Sequence, residues 1–274
     1  MIKTLLMALL IFAGMVGYDS LNDKPTPTSP EQKQEQKINK HEKSAAMAIF
    51  TALLPPREEW PSPMQKFYIA FNMDEVIDPI RQHPDWTPLK AMNQDIPKAL
   101  IAIEDHDFYN HGAIAAEGVI RAMLVNISAG EVVQGGSTLT QQFVKNVFLT
   151  HEQSMERKIE EAILSLMLED NYSKDEILEL YLNTTYFGAG ANGIKAACNK
   201  YFGKAPSALT LAEAAVIASL PYAPSALNPL ENPKDCKKRQ LLVLAAMHKY
   251  GMINQAQLAE AKNAPVYLTN GGVM

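Results

Sequence analysis

The sequence is short of cysteine, of excess positive charge and of long apolar runs, and each shortage narrows what the chain can be. Its only two cysteines, Cys198 and Cys236, are too few for a disulfide framework and have no metal-ligand spacing, so they read as ordinary thiols. Lys and Arg (25) are outnumbered by Asp and Glu (30), for a net charge of −5. That balance argues against non-specific nucleic-acid binding, which favours a concentrated basic face, though a basic cleft in an acidic protein stays open. The most continuous apolar stretch, residues 4–16 after Lys3, ends at Gly17. At about 1.5 Å per residue it falls short of a hydrocarbon core of about 30 Å. Its length and positive start suit a secretory signal, yet no convincing small-residue cleavage site follows. Residues 1–18 are therefore expected to be a signal or a short uncleaved anchor, with the rest exported to the extracytoplasmic face of the cell membrane.

What is present is globular. Hydrophobic residues make up 47% of the 274 and charged residues 20%, enough for a sizeable core. Residues 19–44 hold Pro25, Pro27 and Pro30 among Gln, Glu and Lys, a composition that cannot offset its ordering entropy and reads as a disordered linker. A single folded domain is expected over 45–270. Within it, Met47 to Leu54 reads as helix until Pro55-Pro56, and Phe67 to Phe71 as a short strand. From Ile96 the pattern is helical almost to the end. Capping signals fall at Thr150…Gln153, Ser173…Glu176 and Thr210…Glu213. The first predicts an apolar face of Met155, Ile159, Ala162, Ile163, Leu166 and Met167; the second one of Ile177, Leu178, Tyr181 and Leu182. Residues 210–220 are apolar nearly all round, the mark of a buried helix. Glycines at 135–136, 188–193 and 203 break the segments, with no internal repeat. The fold class is mainly α.

Three stretches hold groups that can do chemistry. Residues 104–112, EDHDFYNHG, follow the apolar run Ala99 to Ile103. A carboxylate leaving an apolar element tends toward a raised pKa, which suits a general base; the plain alternative is a solvated helix end, and the spacing matches no common metal site. Residues 135–142, GGSTLTQQ, pair flexible backbone with the hydroxyls of Ser137, Thr138 and Thr140. With Gln141, Gln142 and Lys145 they could hold an anionic oxygen group, although no GK[ST] makes this a Walker loop. In RKIEE, Arg157, Lys158 and Glu161 share a helix face. They form either a solvated salt-bridged surface or an anion site with a carboxylate beside it.

In order, these segments resemble the motifs of glycosyltransferase family 51, the peptidoglycan glycosyltransferase domains of class A penicillin-binding proteins and the monofunctional transglycosylases. EDxxFxxHxG is met at Glu104, Asp105, Phe108 and His111, and GxSTxTQQ at Gly135, Ser137, Thr138, Thr140, Gln141 and Gln142. RKxxE falls on Arg157, Lys158 and Glu161; KxxILxxYLN on Lys174, Ile177, Leu178, Tyr181, Leu182 and Asn183; and RRxxVL on Arg239, Val243 and Leu244. The resemblance spans about residues 85–262. It implies a lysozyme-like helical fold and an enzyme polymerising lipid II into β-1,4 glycan with inversion and loss of undecaprenyl pyrophosphate. By the same resemblance Glu104 is the base. Ser137, Thr138, Thr140, Gln141, Gln142, Lys145, Asn146, Arg157 and Lys158 hold substrate or its pyrophosphate. Glu161 assists, either by sharing a divalent cation (Mg or Mn) with the pyrophosphate or by placing a proton, and no organic cofactor is expected. Asp105, Phe108, His111, Tyr181, Asn183 and Arg239 are implied supports of the motifs. Lipid II, the growing glycan, membrane lipid and a separate transpeptidase are the implied partners, nucleic acid is not, and inhibition by the phosphoglycolipid moenomycin is expected.

Three positions depart from the pattern: Ala113 stands where Gly is usual, with Gly112 one place early; Gln240 replaces the second Arg; and Gln153 stands where many relatives carry a cation. No SxxK or KTG motif follows residue 262, which fits a monofunctional enzyme or part of a longer chain. A lysozyme-like hydrolase or lytic transglycosylase, and a non-catalytic cell-wall scaffold, are the competing expectations. The cations of the second and third motifs speak against a hydrolase, which expels a sugar rather than a pyrophosphate.

Overall fold

The protein is seen here as a computed structural model that describes residues 68–70, 72–115, 136–150 and 154–274. The expected signal or anchor, the linker, Met47 to Leu54, Gly135 and Gln153 lie outside the described residues. Nine α-helices run through the rest: α1 (Asp74–Arg81), α2 (Asp95–Glu104), α3 (Leu139–Phe148), α4 (Met155–Asn171), α5 (Lys174–Thr184), α6 (Ile194–Phe202), α7 (Leu211–Ser219), α8 (Pro233–Lys249) and α9 (Gln255–Asn263). Among the described residues β-structure amounts to two isolated antiparallel bridges, Tyr186–Asn192 and Tyr267–Val273. The mainly α class expected from the sequence is what is found, and no helix of the described residues is long and apolar enough to cross a membrane.

Helix α7 is the centre of one half of the core. Ala212 to Ser219 are all buried, as an all-round apolar helix must be, and its alanines let α2 and α8 pack directly against it. Gln240 of α8 is wholly buried there and donates from Nε2 to the Ala212 carbonyl at 2.7 Å. That departure therefore sits in the core. The other half gathers α4 and α5 around α3. Ile177, Leu178, Tyr181 and Leu182 form the inner face of α5, as their spacing predicts.

Ser173 and Thr210 close capping boxes with Glu176 and Glu213. The first expected cap is corrected: α4 is capped by Ser154, whose hydroxyl accepts from the Arg157 N–H, and not by Thr150. Its expected inner face is also corrected. Ile159 (58%) and Leu166 (46%) are exposed, while Glu161, Leu164, Ser165 and Leu168 point inward. Periodicity alone finds a stripe; it does not say which stripe the neighbours cover. The expected strand at 67–71 gives way to a helical turn over residues 68–70, with the Asn72 N–H and Nδ2 both bonded to the Tyr68 carbonyl. A short aromatic run is ambiguous between the two states, and local capping decided it.

The loop 188–193 needs its glycines at two points. A Cβ on Gly188 would lie 2.4 Å from the Pro224 carbonyl oxygen, and one on Gly193 2.5 Å from that of Asn183. Gly193 also has φ +80°, where side chains are strained. Gly193→Ala is accordingly expected to destabilise the fold by about 2 kcal/mol or more in urea unfolding, since clash and strained φ act together.

Candidate active site

Helix α2 is apolar along its length and ends at Glu104, so the first carboxylate appears where the chain leaves the core. Burial pushes the Glu104 pKa above the ordinary carboxylate value. A hydrogen bond from Gln142 Nε2 (3.0 Å) and the charges of Arg239 and Lys145 pull the other way without cancelling it, and Asp105 adds a smaller upward push. Gln142 is in turn held by the buried Tyr181 hydroxyl, which donates to its Oε1 at 3.0 Å.

The next residue is a joint. Asp105 accepts from His111 Nε2 at 2.6 Å and, through its other oxygen, from the Leu139 N–H at 2.9 Å. One carboxylate thus closes the loop after α2 and satisfies a free donor at the start of α3. Thr138 completes the junction: its hydroxyl donates to the Ala113 carbonyl (2.8 Å) and accepts from the Gln141 N–H in a capping box. Neither Gly112 nor Ala113 has positive φ, so this turn does not demand a glycine at 113. Phe108 is wholly buried with the Lys174 ammonium 4.5 Å from its ring centre, and Lys174 pairs with Glu169 at 2.7 Å. The Thr140 hydroxyl reaches the same Glu169 oxygen.

Of the expected binding set, Thr138, Thr140 and Gln141 are buried: Thr138 and Gln141 close the capping box of α3 and the Thr140 hydroxyl reaches Glu169. Ser137 and Gln142 are only partly buried, and Lys145 and Asn146 are exposed along α3. Lys158 reaches Ser137 Oγ at 3.2 Å and ion-pairs with Glu161, whose carboxylate is only 2% exposed. The solvated-surface account of RKIEE is thereby excluded for Glu161. The Nε atoms of Arg157 and Arg239 are buried without a hydrogen-bond partner among the described residues. Arg239 lies over the Tyr222 ring at 4.1 Å, and its charge pulls on Glu104 more than that of Lys145 does.

Asn183 has another job. It straps residue 87 to α5, accepting from the Thr87 N–H (2.8 Å) and donating to its carbonyl (2.9 Å). Glu179 one turn earlier accepts from Trp86 Nε1 and the Leu89 N–H. Sequence reasoning passed over Glu169 and Glu179, because a lone Glu on a helix carries no signal until its partners are known. No three His, Cys, Asp or Glu side chains converge among the described residues, and Glu161 is already neutralised by Lys158.

The family model described as Transglycosylase matches residues 73–248, which contain every one of these groups. The chain belongs to the transglycosylase family. It is 46% identical over 181 residues to penicillin-binding protein 2D of Bacillus subtilis (66% of this chain, 26% of that one). It is 42% identical over 202 residues to penicillin-binding protein 1A of Aquifex aeolicus (74% and 25%). A protein of Cupriavidus necator that carries the transglycosylase name is 41% identical over 194 residues, which is 71% of this chain and 84% of that one. The chain thus spans about a quarter of the length of the penicillin-binding proteins it matches. The family is the glycosyltransferase family 51 indicated by the five motifs.

The raised Glu104 pKa makes a stability prediction for this transglycosylase. The folded pKa lies above the unfolded value of 4.5. The contribution of Glu104 to stability is therefore fully present below pH 4.5 and lost as pH rises through the folded pKa. Glu104→Gln should then melt at a higher temperature than wild type at pH 7.5, with the advantage gone at pH 4. Asp105→Ala, which unties both His111 and α3, should cost about 2 kcal/mol by denaturant titration.

Proposed function

We propose that the protein is a peptidoglycan glycosyltransferase that joins lipid II to a growing glycan with inversion, using Glu104 as the general base. The observation that supports this most is a part-buried carboxylate of raised pKa, acted on by the charges of Arg239 and Lys145, on a transglycosylase frame. Glu104 takes the proton of the GlcNAc 4-hydroxyl of lipid II. The freed oxygen forms a bond to the anomeric carbon of the terminal MurNAc of the chain, on the face opposite the bond that breaks. The electron pair of that broken bond leaves with undecaprenyl pyrophosphate. Lys145, Arg157 and Lys158 neutralise the charge that develops there. Arg157 suits this role because its buried Nε–H has no partner within the described protein and a phosphate oxygen would supply one.

Glu161 keeps Lys158 aimed past Ser137 toward the leaving group. A divalent cation would have to arrive with the pyrophosphate and displace the Lys158 ammonium from Glu161. Loss of polymerisation in EDTA, restored by Mg2+ or Mn2+, is the measurement that detects one. Work at the extracytoplasmic membrane face beside a separate transpeptidase completes this reading.

The test is polymerisation of purified lipid II. Glu104→Gln should lower the rate by about 10³-fold, the middle of the range for removing a general base, and Lys158→Ala by about 10²-fold. Unchanged polymerisation in Glu104→Gln would overturn the assignment. Release of fragments from finished peptidoglycan, with no polymer from lipid II, would favour a lytic enzyme. Moenomycin should bind the wild-type protein and bind at least about tenfold more weakly after Arg157→Ala, the loss of one charge-assisted contact.

A further inference from the structure

We infer that Tyr181 is a positioning residue: its hydroxyl fixes which end of the Gln142 amide meets Glu104, so that the carboxylate receives an N–H and its protonated form does not receive a carbonyl. The inference rests on the transglycosylase reading above and adds a part to that site.

The two ends of a glutamine amide are almost the same size and opposite in hydrogen-bonding sense, one accepting and one donating. Half a turn about the last torsion exchanges them. Beside an ionised Glu104 the N–H end is preferred in any case. After proton transfer the preference changes, because the new carboxylic O–H can donate to an amide oxygen. A Gln142 free to turn would follow the proton, stabilise protonated Glu104 and oppose its return to the basic form.

Tyr181 prevents the turn. It is 1% exposed on α5, and its hydroxyl donates to Gln142 Oε1 at 3.0 Å while Gln142 Nε2 donates to Glu104 Oε2 at 3.0 Å. Turning the amide would set two N–H donors against the phenol and leave the phenol proton without its acceptor, a buried mismatch. Burial and the Glu104 charge both push the Tyr181 pKa up, so the phenol keeps that proton throughout the working range. The other charged groups facing Glu104 are Lys145 on α3, Arg239 on α8 and Asp105 just after α2, none of which touches the amide. The turn is thus controlled from α5 alone.

The experiment compares wild type, Tyr181→Phe and Tyr181→Met, the second guarding against a folding defect peculiar to the first, with a thermal melt as the check. The Glu104 titration is read without substrate, as the infrared carboxylate band that is lost in Glu104→Gln. It should move up by about one pH unit in both Tyr181 variants, a tenfold change in the proton equilibrium. In lipid II polymerisation the acid limb of kcat/KM should move with it. The rate then falls about fivefold at the old midpoint and recovers to within about threefold at high pH, with KM little changed. Added to Gln142→Leu, Tyr181→Phe should produce no further shift. A uniform loss at every pH with an unmoved carboxylate titration would make Tyr181 a packing residue and overturn the inference. A shifted titration in a protein that makes no polymer from lipid II would retain the lock and sink the transglycosylase reading instead.

Discussion

The site depends on one carboxylate that does no chemistry. Asp105 ends the loop after α2 with one oxygen and begins α3 with the other, and so joins two segments separated by 34 positions. Without that bridge Glu104 would sit on a frayed helix end and Gln142 on a helix with no fixed start. Because ionised Asp accepts but cannot donate, both partners must bring protons, and a backbone N–H and an imidazole do so. The geometry of the base is therefore set by electrostatics at the neighbouring residue. Buried polar groups in this half of the molecule follow the same logic. Thr138 bonds the Ala113 carbonyl and caps α3 while Thr140 meets Glu169, leaving Ser137 and Lys158 more open.

The proposed chemistry draws on a difference between two glutamates. Glu104 has a neutral donor against it and the charges of Arg239 and Lys145 acting on it, whereas Glu161 has an ammonium against it. A base and an ion-pair partner thus come from one side-chain type by choice of neighbour. Arg239 and Lys145 temper the first, pulling against the upward push of burial without cancelling it.

Much of this was legible in the sequence, and what was not has physical reasons. The buried α7 was evident from its apolar surround, the inner face of α5 from its spacing, and the caps at Ser173 and Thr210 from hydroxyl and carboxyl three residues apart. Glu104 was marked by its place at the end of an apolar run. The division of the GGSTLTQQ motif into buried and more open groups was not legible, since hydroxyls at Ser137, Thr138 and Thr140 look alike until their partners arrive from α2 and α4. Nor was the orientation of α4, because a helix with two possible stripes is settled only by what packs on it.

That orientation has its own consequence. The inner face of α4 carries a glutamate and a serine, whose hydroxyl donates to the Glu161 carbonyl at 2.6 Å, while isoleucine and leucine look out. On this helix Glu161 and Ser165 share the interior with Leu164 and Leu168, so the usual equation of greasy with interior only half holds. A designer wishing to make the domain more soluble would exchange Ile159 and Leu166 for charged residues and leave Ser165 untouched. A hydropathy profile would recommend the opposite.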